Sequence, residues 1–448
     1  MKKSRLYQII LLSVVIIALG SCRKNYITDA NNYENGTQTV TPSVLLSTVE
    51  GSLAYSQGGD LSRFTSLFTQ QTLGASRQAE AYYTYVLTSQ DADGLWTNLY
   101  TSVLMNNDSL IALSERKHYA AYGGVARIMK AYTFQVMVDC WGDLPFSQAL
   151  QGLTYPKPKY DSASQVYNAI LTLCNTAIDS LSSSNPGALI PSDEDFIYNG
   201  DLNKWIMFAH AIKARVYMHQ SKGNATMAQH ALDEIALSFT SNADGAVYPF
   251  LGGTETSANP WYQFNQQRTD INFSTSTLLQ NMLANGDPRT FVYADTSNAE
   301  TLGTYYGDMT GTVEFITYEE LQFMKAEATL ATGGTTVDAE TAYQEGITAS
   351  MTKLGVDAGD MATYIGTYGT LSNSNDTAKT QIVSEAFTAL YLNPEAWTLW
   401  RRTGIPSLTP IKGTTVPRRF MYPQTEYSYN ASNTPTSTLF APKVFWDK

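Results

Sequence analysis

Cys22 follows Leu19-Gly20-Ser21. The two small residues let the chain enter a peptidase groove, and the thiol can then carry a diacylglyceryl group. The other two cysteines, Cys140 and Cys174, sit in apolar helical stretches and read as buried, inert thiols. Three cysteines cannot make a disulfide framework. Catalytic groups are scattered. No G-x-S-x-G, H-E-x-x-H, Walker A or G-x-G-x-x-G pattern occurs. His210 and His219 share a helical segment but point in different directions, and His118 and His230 lie elsewhere, so packing or surface roles are expected rather than metal ligation. Asp91-Ala92-Asp93-Gly94 opens like a calcium loop, yet Leu95 stands where an Asp or Asn ligand belongs. It reads as a turn and helix cap. Asp193-Glu194-Asp195 reads as a solvated loop. A glycosidase needs two carboxylates flanking a cleft, and among 40 acidic residues nothing marks such a pair. No enzyme is expected.

The N-terminus supports the reading of Cys22. Lys2, Lys3 and Arg5 precede an apolar run from Leu6 to Leu19, too short for a comfortable membrane span and suited to export. The segment resembles a bacterial lipoprotein signal, with residues 1–21 removed and lipid on Cys22. A second acyl chain makes such an anchor stable. Residues 22–41 are polar, Asn-rich and aperiodic, as a flexible tether would be. Of the 448 residues, 43% are hydrophobic, ample for a core, and only 15% are charged. The surface must draw on Thr, Ser, Asn, Gln and the 29 tyrosines. A net charge of −11 argues against nucleic acid, which requires a basic face.

The body is patterned for helices. Val166, Ile170, Leu173, Ala177 and Leu181 form one stripe opened by Asp161 or Ser162. Val125, Met129, Tyr132, Val136 and Cys140 form a second; Trp205, Phe208, Ala209, Ile212 and Val216 form a third. Weaker helical patterns cover about 43–57, 61–73, 93–113, 225–238, 275–285, 317–331, 337–354 and 377–400, the last interrupted at Pro394. Short strands are expected at 246–251 and 312–317. The Gly-, Thr-, Asn- and Pro-rich stretches 240–272, 286–316 and 403–448 are too long for plain connectors. Trp96, Trp141, Trp205, Trp397 and Trp400 fall in helical segments and should be core. The expected class is mostly α: stacked helix pairs with an irregular, loop-rich face and few strands.

Several motifs, in this order, resemble the SusD/RagB family. Tyr132 to Cys140 leads into Trp141-Gly142-Asp143-Leu144-Pro145-Phe146, a helix ending in an aromatic-Gly-Asp-x-Pro-aromatic turn. Gly142 stops that helix and Pro145 forbids its continuation. Asp201-Leu202-Asn203-Lys204-Trp205 leads to Arg215, with His210 where the family more often has Asn. Glu319 to Ala328 carries an Ala-Glu-Ala signature. Glu395-Ala396-Trp397-Thr398-Leu399-Trp400-Arg401-Arg402 is followed by Pro417-Arg418-Arg419-Phe420 and Glu426, and Asp287-Pro288-Arg289 adds a weaker match. The arginines are expected to pair with Glu395, Glu327 or Glu426; the alternative is a cluster that binds an anionic ligand.

The resemblance implies a tetratricopeptide-like scaffold over one domain, residues 42–448, with variable loops at about 240–272 and 286–316. It also implies an outer-membrane lipoprotein that captures nutrient oligomers, most often glycan and in some branches peptide. These are handed to a SusC-like TonB-dependent transporter, with neither cofactor nor catalysis. Sugars offer CH faces to aromatic rings and hydroxyls to amides. By that chemistry the candidate contacts are Trp261, Tyr262 and Asn265 in the stretch 259–267, Tyr305 and Tyr306 beside Gly307-Asp308, and Tyr83 in Tyr82-Tyr83-x-Tyr85. The competing reading is a helical-repeat adaptor that organises envelope proteins without a small ligand.

Overall fold

Most of the described chain folds into helices, some opened by a side-chain cap and some closed at a glycine. In the computed structural model they run in the order α1 (Pro42–Ser56), α2 (Ser62–Phe68), α3 (Arg77–Tyr83), α4 (Asp93–Asn98), α5 (Met105–Lys117), α6 (Ala120–Trp141), α7 (Ala163–Leu181), α8 (Leu202–His219) and α9 (Ala225–Ile235). An irregular middle holds α10 (Pro260–Gln267), α11 (Thr277–Ala284), α12 (Thr290–Tyr293) and α13 (Thr304–Gly307). The remainder is α14 (Tyr318–Ala331), α15 (Thr336–Lys353), α16 (Ala358–Tyr368), α17 (Asn375–Ala389), α18 (Glu395–Thr403) and α19 (Gln424–Tyr429). Four short strands complete it: β1 (Leu73–Gly74), β2 (Ala246–Pro249), β3 (Ile271–Asn272) and β4 (Thr312–Ile316). The structure describes residues 40–183, 185 and 187–448. The signal segment, Cys22 and nearly all of the tether lie outside these residues. Pro42–Lys448 form one compact unit.

Capping chemistry fixes the starts of the main helices. Ser162 and Gln165 form a reciprocal capping box at α7. Asp201 accepts from the amides of Asn203 and Lys204 at α8. The apolar stripe of α7 is buried at Val166, Ile170, Cys174, Ala177 and Leu181. Helix α6 is buried on almost every side, as a central helix must be. Consecutive helices pack side by side: α5 on α6, α6 on α7, α8 on α9 and α14 on α15. The molecule is a mostly helical scaffold of paired helices, and the five tryptophans expected in the core, Trp96, Trp141, Trp205, Trp397 and Trp400, are all buried there. Trp446 joins them. The expected break at Pro394 separates α17 from α18.

Two antiparallel ladders fasten the irregular middle. Strand β1 pairs with β3, Leu73 opposite Asn272. Strand β2 pairs with β4, matching the two stretches read as strands. The stretch 240–272 is not all loop, because Asn259 accepts from the amides of Trp261 and Tyr262 and Pro260 occupies the first helical position of α10. Helix α16 was also unexpected. Asp193-Glu194-Asp195 is not a solvated loop. Asp195 is buried and accepts from the amides of Tyr198 and Gly200 and from Trp205 Nε1 at 2.7 Å, while Glu194 accepts from Tyr122.

The C-terminal arginines are structural, with one of the anticipated pairings. Arg402 grips Glu327 as a fork, both contacts 2.6 Å. Arg401 lies over the Trp397 ring at 3.6 Å and the Trp446 ring at 4.8 Å. Arg418 pairs with Asp447, and Arg419 donates to the Trp141 carbonyl at the end of α6. Gly142, at φ +79°, turns the chain there. Glu395 and Glu426 are taken by other donors, His219 and Tyr160, each at 2.8 Å.

Candidate functional site

A sharp bend between α1 and α2 opens a cleft. The turn Gln57–Leu61 is wider than an α-helix, and Gly59 leaves helical geometry altogether. Gly58 sits so close to β4 that a β-carbon would lie 2.3 Å from the Val313 side chain. The bend presents Asp60 and Arg63 to a cavity of about 430 Å³. Helix α2, helix α3, the turn at 88–92, helix α10 and the start of β3 form its walls.

Its centre is a ring flanked by two cations. The Phe264 ring has the Arg63 guanidinium 4.9 Å from its centroid and the Arg268 guanidinium at 5.7 Å. The two arginines are held differently. Arg63 pairs with Asp60, whose side chain is half exposed; such a pair contributes at most about 1 kcal/mol and can yield to a ligand. Arg268 is fixed by Asp270, which is buried and accepts from Nε at 3.0 Å. The hydrogen bonds it donates to Asp270 raise the guanidinium pKa further.

On the opposite wall, Tyr82 donates to Asp91 at 2.7 Å. Burial and then Asp91 push its phenol well above the ordinary range, so it stays protonated. Burial raises Asp91, but hydrogen bonds from Thr88 and Tyr82 outweigh it and hold the carboxyl below its usual value. Gln78 and Gln90 add exposed amides. The cleft therefore joins a ring face to preset donors and acceptors. A hydrolase of glycosides needs a carboxyl kept protonated, and Asp91 is shifted the opposite way.

The candidate contacts disperse around this cleft. Trp261 is 2% exposed; its Nε1 donates to Ser62 Oγ at 2.9 Å and its ring meets Phe264 and Phe273 edge-on. It supports Phe264 from behind and has no face for a ligand. Tyr306 is 6% exposed and packs against Tyr293 and Tyr391. Asn265 spends its amide on the loop 300–302, donating to the Glu300 carbonyl at 2.7 Å and accepting from the Leu302 amide at 3.2 Å. Tyr305 donates to Glu314 at 2.8 Å, with Lys353 above its ring. Tyr83 and Tyr262 are half-buried. Phe264 and Tyr82 belong to the flagged segments, although neither was singled out. The Asn-Pro start of α10 was the available signal: a helix from Pro260 puts Trp261 and Phe264 on one face, three residues apart.

A second polar cluster lies in the core. His219 donates from Nε2 to Glu395 at 2.8 Å; its Nδ1 is 2.8 Å from the Tyr167 hydroxyl and 3.5 Å from Asp139. Burial lowers the imidazole pKa, but Glu395 and Asp139 raise it more, to about 9. Three ligand-type groups thus lie together. Their hydrogen bonds and ion pairs pin α6, α8 and α18 to one another. Burial pushes the Cys174 thiol up to about 12, and the Cys140 thiol is raised too.

Comparison with known proteins follows from this geometry. A family model described as SusD-like, "Starch-binding associating with outer membrane", matches residues 34–423. No curated protein matches the sequence. A solved chitin-binding protein is similar over 91% of this chain and 100% of its own, at 24% identity and a TM-score of 0.79. A SusD/RagB family protein from Bacteroides thetaiotaomicron is similar over 91% and 99%, at 22% identity and 0.74. A chitin-binding SusD homolog from Flavobacterium johnsoniae is similar over 91% and 97%, at 19% identity and 0.74. These likenesses establish a shared fold.

Proposed function

This chain belongs to the SusD-like family, and from that premise we propose that it captures oligosaccharides at the outer membrane. It delivers them to a SusC-like TonB-dependent transporter while lipid on Cys22 holds it in place. The observation that supports capture is the Phe264 cleft. A pyranose CH face can lie on the ring while Asp60, Arg63, Asp91 and the amides of Gln78 and Gln90 meet its hydroxyls. Because Arg63 is loosely paired and Arg268 firmly so, one cation adapts to the sugar and the other keeps the ring positioned. The family description names starch, and two proteins of the same fold are called chitin-binding, which favours glycan over peptide. Tyr83, Tyr262 and Tyr305, all half-buried, are the proposed contacts for longer ligands. We read the cleft as a binding site, in which Asp91, held below its usual range by Thr88 and Tyr82, serves as an acceptor.

The test is calorimetry with maltoheptaose and hexa-N-acetylchitohexaose. Phe264→Ala should weaken binding roughly fivefold, since an aromatic contact contributes about 1 kcal/mol and 1.4 kcal/mol is tenfold, and Arg63→Ala should weaken it as well. Unchanged affinity in folded variants removes the cleft from the site. Binding of neither glycan by the unaltered protein ends the glycan reading.

A further inference from the structure

Helix α2 touches two clefts. Arg63, Phe64 and Leu67 face the one already described; Thr69 and Gln70, just past its end, line another of about 320 Å³. The step from Arg63 to Thr69 is roughly 9 Å of helix axis. The second cleft lies between α11, α16, α17 and the strap that follows α18.

Its charges are already engaged. Arg289, wholly buried, holds Asp287 through Nε at 2.9 Å and Nη2 at 2.6 Å, and reaches Glu385 at 2.8 Å. The other Glu385 oxygen accepts from Tyr364 at 2.6 Å. Among the described residues no cation lines the cleft, so an anion finds no counter-charge there, and both carboxylates are occupied. What remains open is neutral. The amides of Asn281 and Asn285 and the hydroxyls of Ser384 and Ser407 make no side-chain hydrogen bond to other described residues. Leu408 and the edge of Leu278 supply an apolar floor, with Met282 and Phe387 buried behind it.

The rim is held by a strained residue. Gln70 stands at φ +59°, a conformation unfavourable for a residue with a β-carbon. In that position its amide donates to the Thr409 carbonyl at 2.6 Å and its Oε1 accepts from Thr277 at 3.3 Å, joining strap to α11. Strain of this kind persists where surrounding contacts over-determine it, and here those contacts tie the strap to α11 at the edge of the cleft.

We propose that this cleft is a second subsite for an uncharged, polyhydroxylated ring such as a pyranose, separate from the Phe264 cleft. The CH face rests on the apolar floor, and the free amides and hydroxyls meet the ring hydroxyls. The inference rests on the glycan reading above, and a short probe separates the two. Calorimetry uses maltotriose and tri-N-acetylchitotriose, each too short to bridge a long surface. The unaltered protein should bind two molecules per chain of at least one probe. Phe264→Ala should leave one, and Asn281→Ala/Ser384→Ala should leave the other. Ser384→Phe, which fills the cleft instead of stripping it, should repeat the second result; melting curves confirm that each variant is folded. One site, abolished by Phe264→Ala and untouched by both second-cleft variants, overturns this inference and leaves the capture reading intact. One site abolished only by the second-cleft variants supports the inference and removes the Phe264 cleft. Binding of neither probe overturns both.

Discussion

Raising the pH should loosen this protein by discharging one buried histidine. His219 is caught between Glu395 and Asp139, and its pKa rises from 6.5 to about 9. A group whose folded value is raised contributes stability that is complete below the unfolded value. That contribution shrinks as pH climbs and is gone above the folded value. The interval of 2.5 units, at 1.36 kcal/mol per unit, amounts to about 3 kcal/mol between pH 6 and 10. Asp139 acts in the opposite sense. Burial raises it, His219 lowers it more, and its stabilising share is lost only as pH falls through a value below 3.8. Urea unfolding at pH 6, 7, 8, 9 and 10 measures the loss, and NMR of the imidazole gives its titration directly. His219→Gln keeps hydrogen-bonding capacity without the charge, so its baseline stability should be lower and its slope across this window flatter. A stability that stays level from pH 6 to 10, or a His219→Gln slope equal to that of the unaltered chain, refutes the reasoning.

Three other perturbations separate structure from function. Trp261→Ala should cost about 3–5 kcal/mol in chemical denaturation, because Trp261 is a core ring, whereas Phe264→Ala should mainly weaken glycan binding. Arg402→Ala leaves Glu327 buried with only Lys379 at 3.4 Å, so a loss of about 3–5 kcal/mol should appear as a lower melting temperature. Cys22→Ala should abolish palmitate labelling and release the protein from the membrane fraction; labelling that persists would defeat the proposed anchor.

The sequence by itself determined the helical scaffold and much of its core. Period alone places Val166, Ile170, Ala177 and Leu181 on one buried face, because a helix returns to the same side every three to four residues. The stop at Gly142 and the break at Pro394 are local backbone chemistry and were equally legible. The Asn259-Pro260 cap was legible too, but the aromatic-rich stretch behind it resembled a loop. Tertiary structure decided which rings face solvent. Trp261 and Phe264 share a helical face, and only the packing of α10 against Ser62 and Phe273 buries the first and leaves the second beside Arg63. It also chose the partners of the arginines, since a charge pattern reveals that a counter-ion is needed without revealing which one arrives. The first cleft gathers residues from four separated segments and the second from five. A one-dimensional period can name the face a residue occupies; what stands opposite it is fixed only when the chain folds.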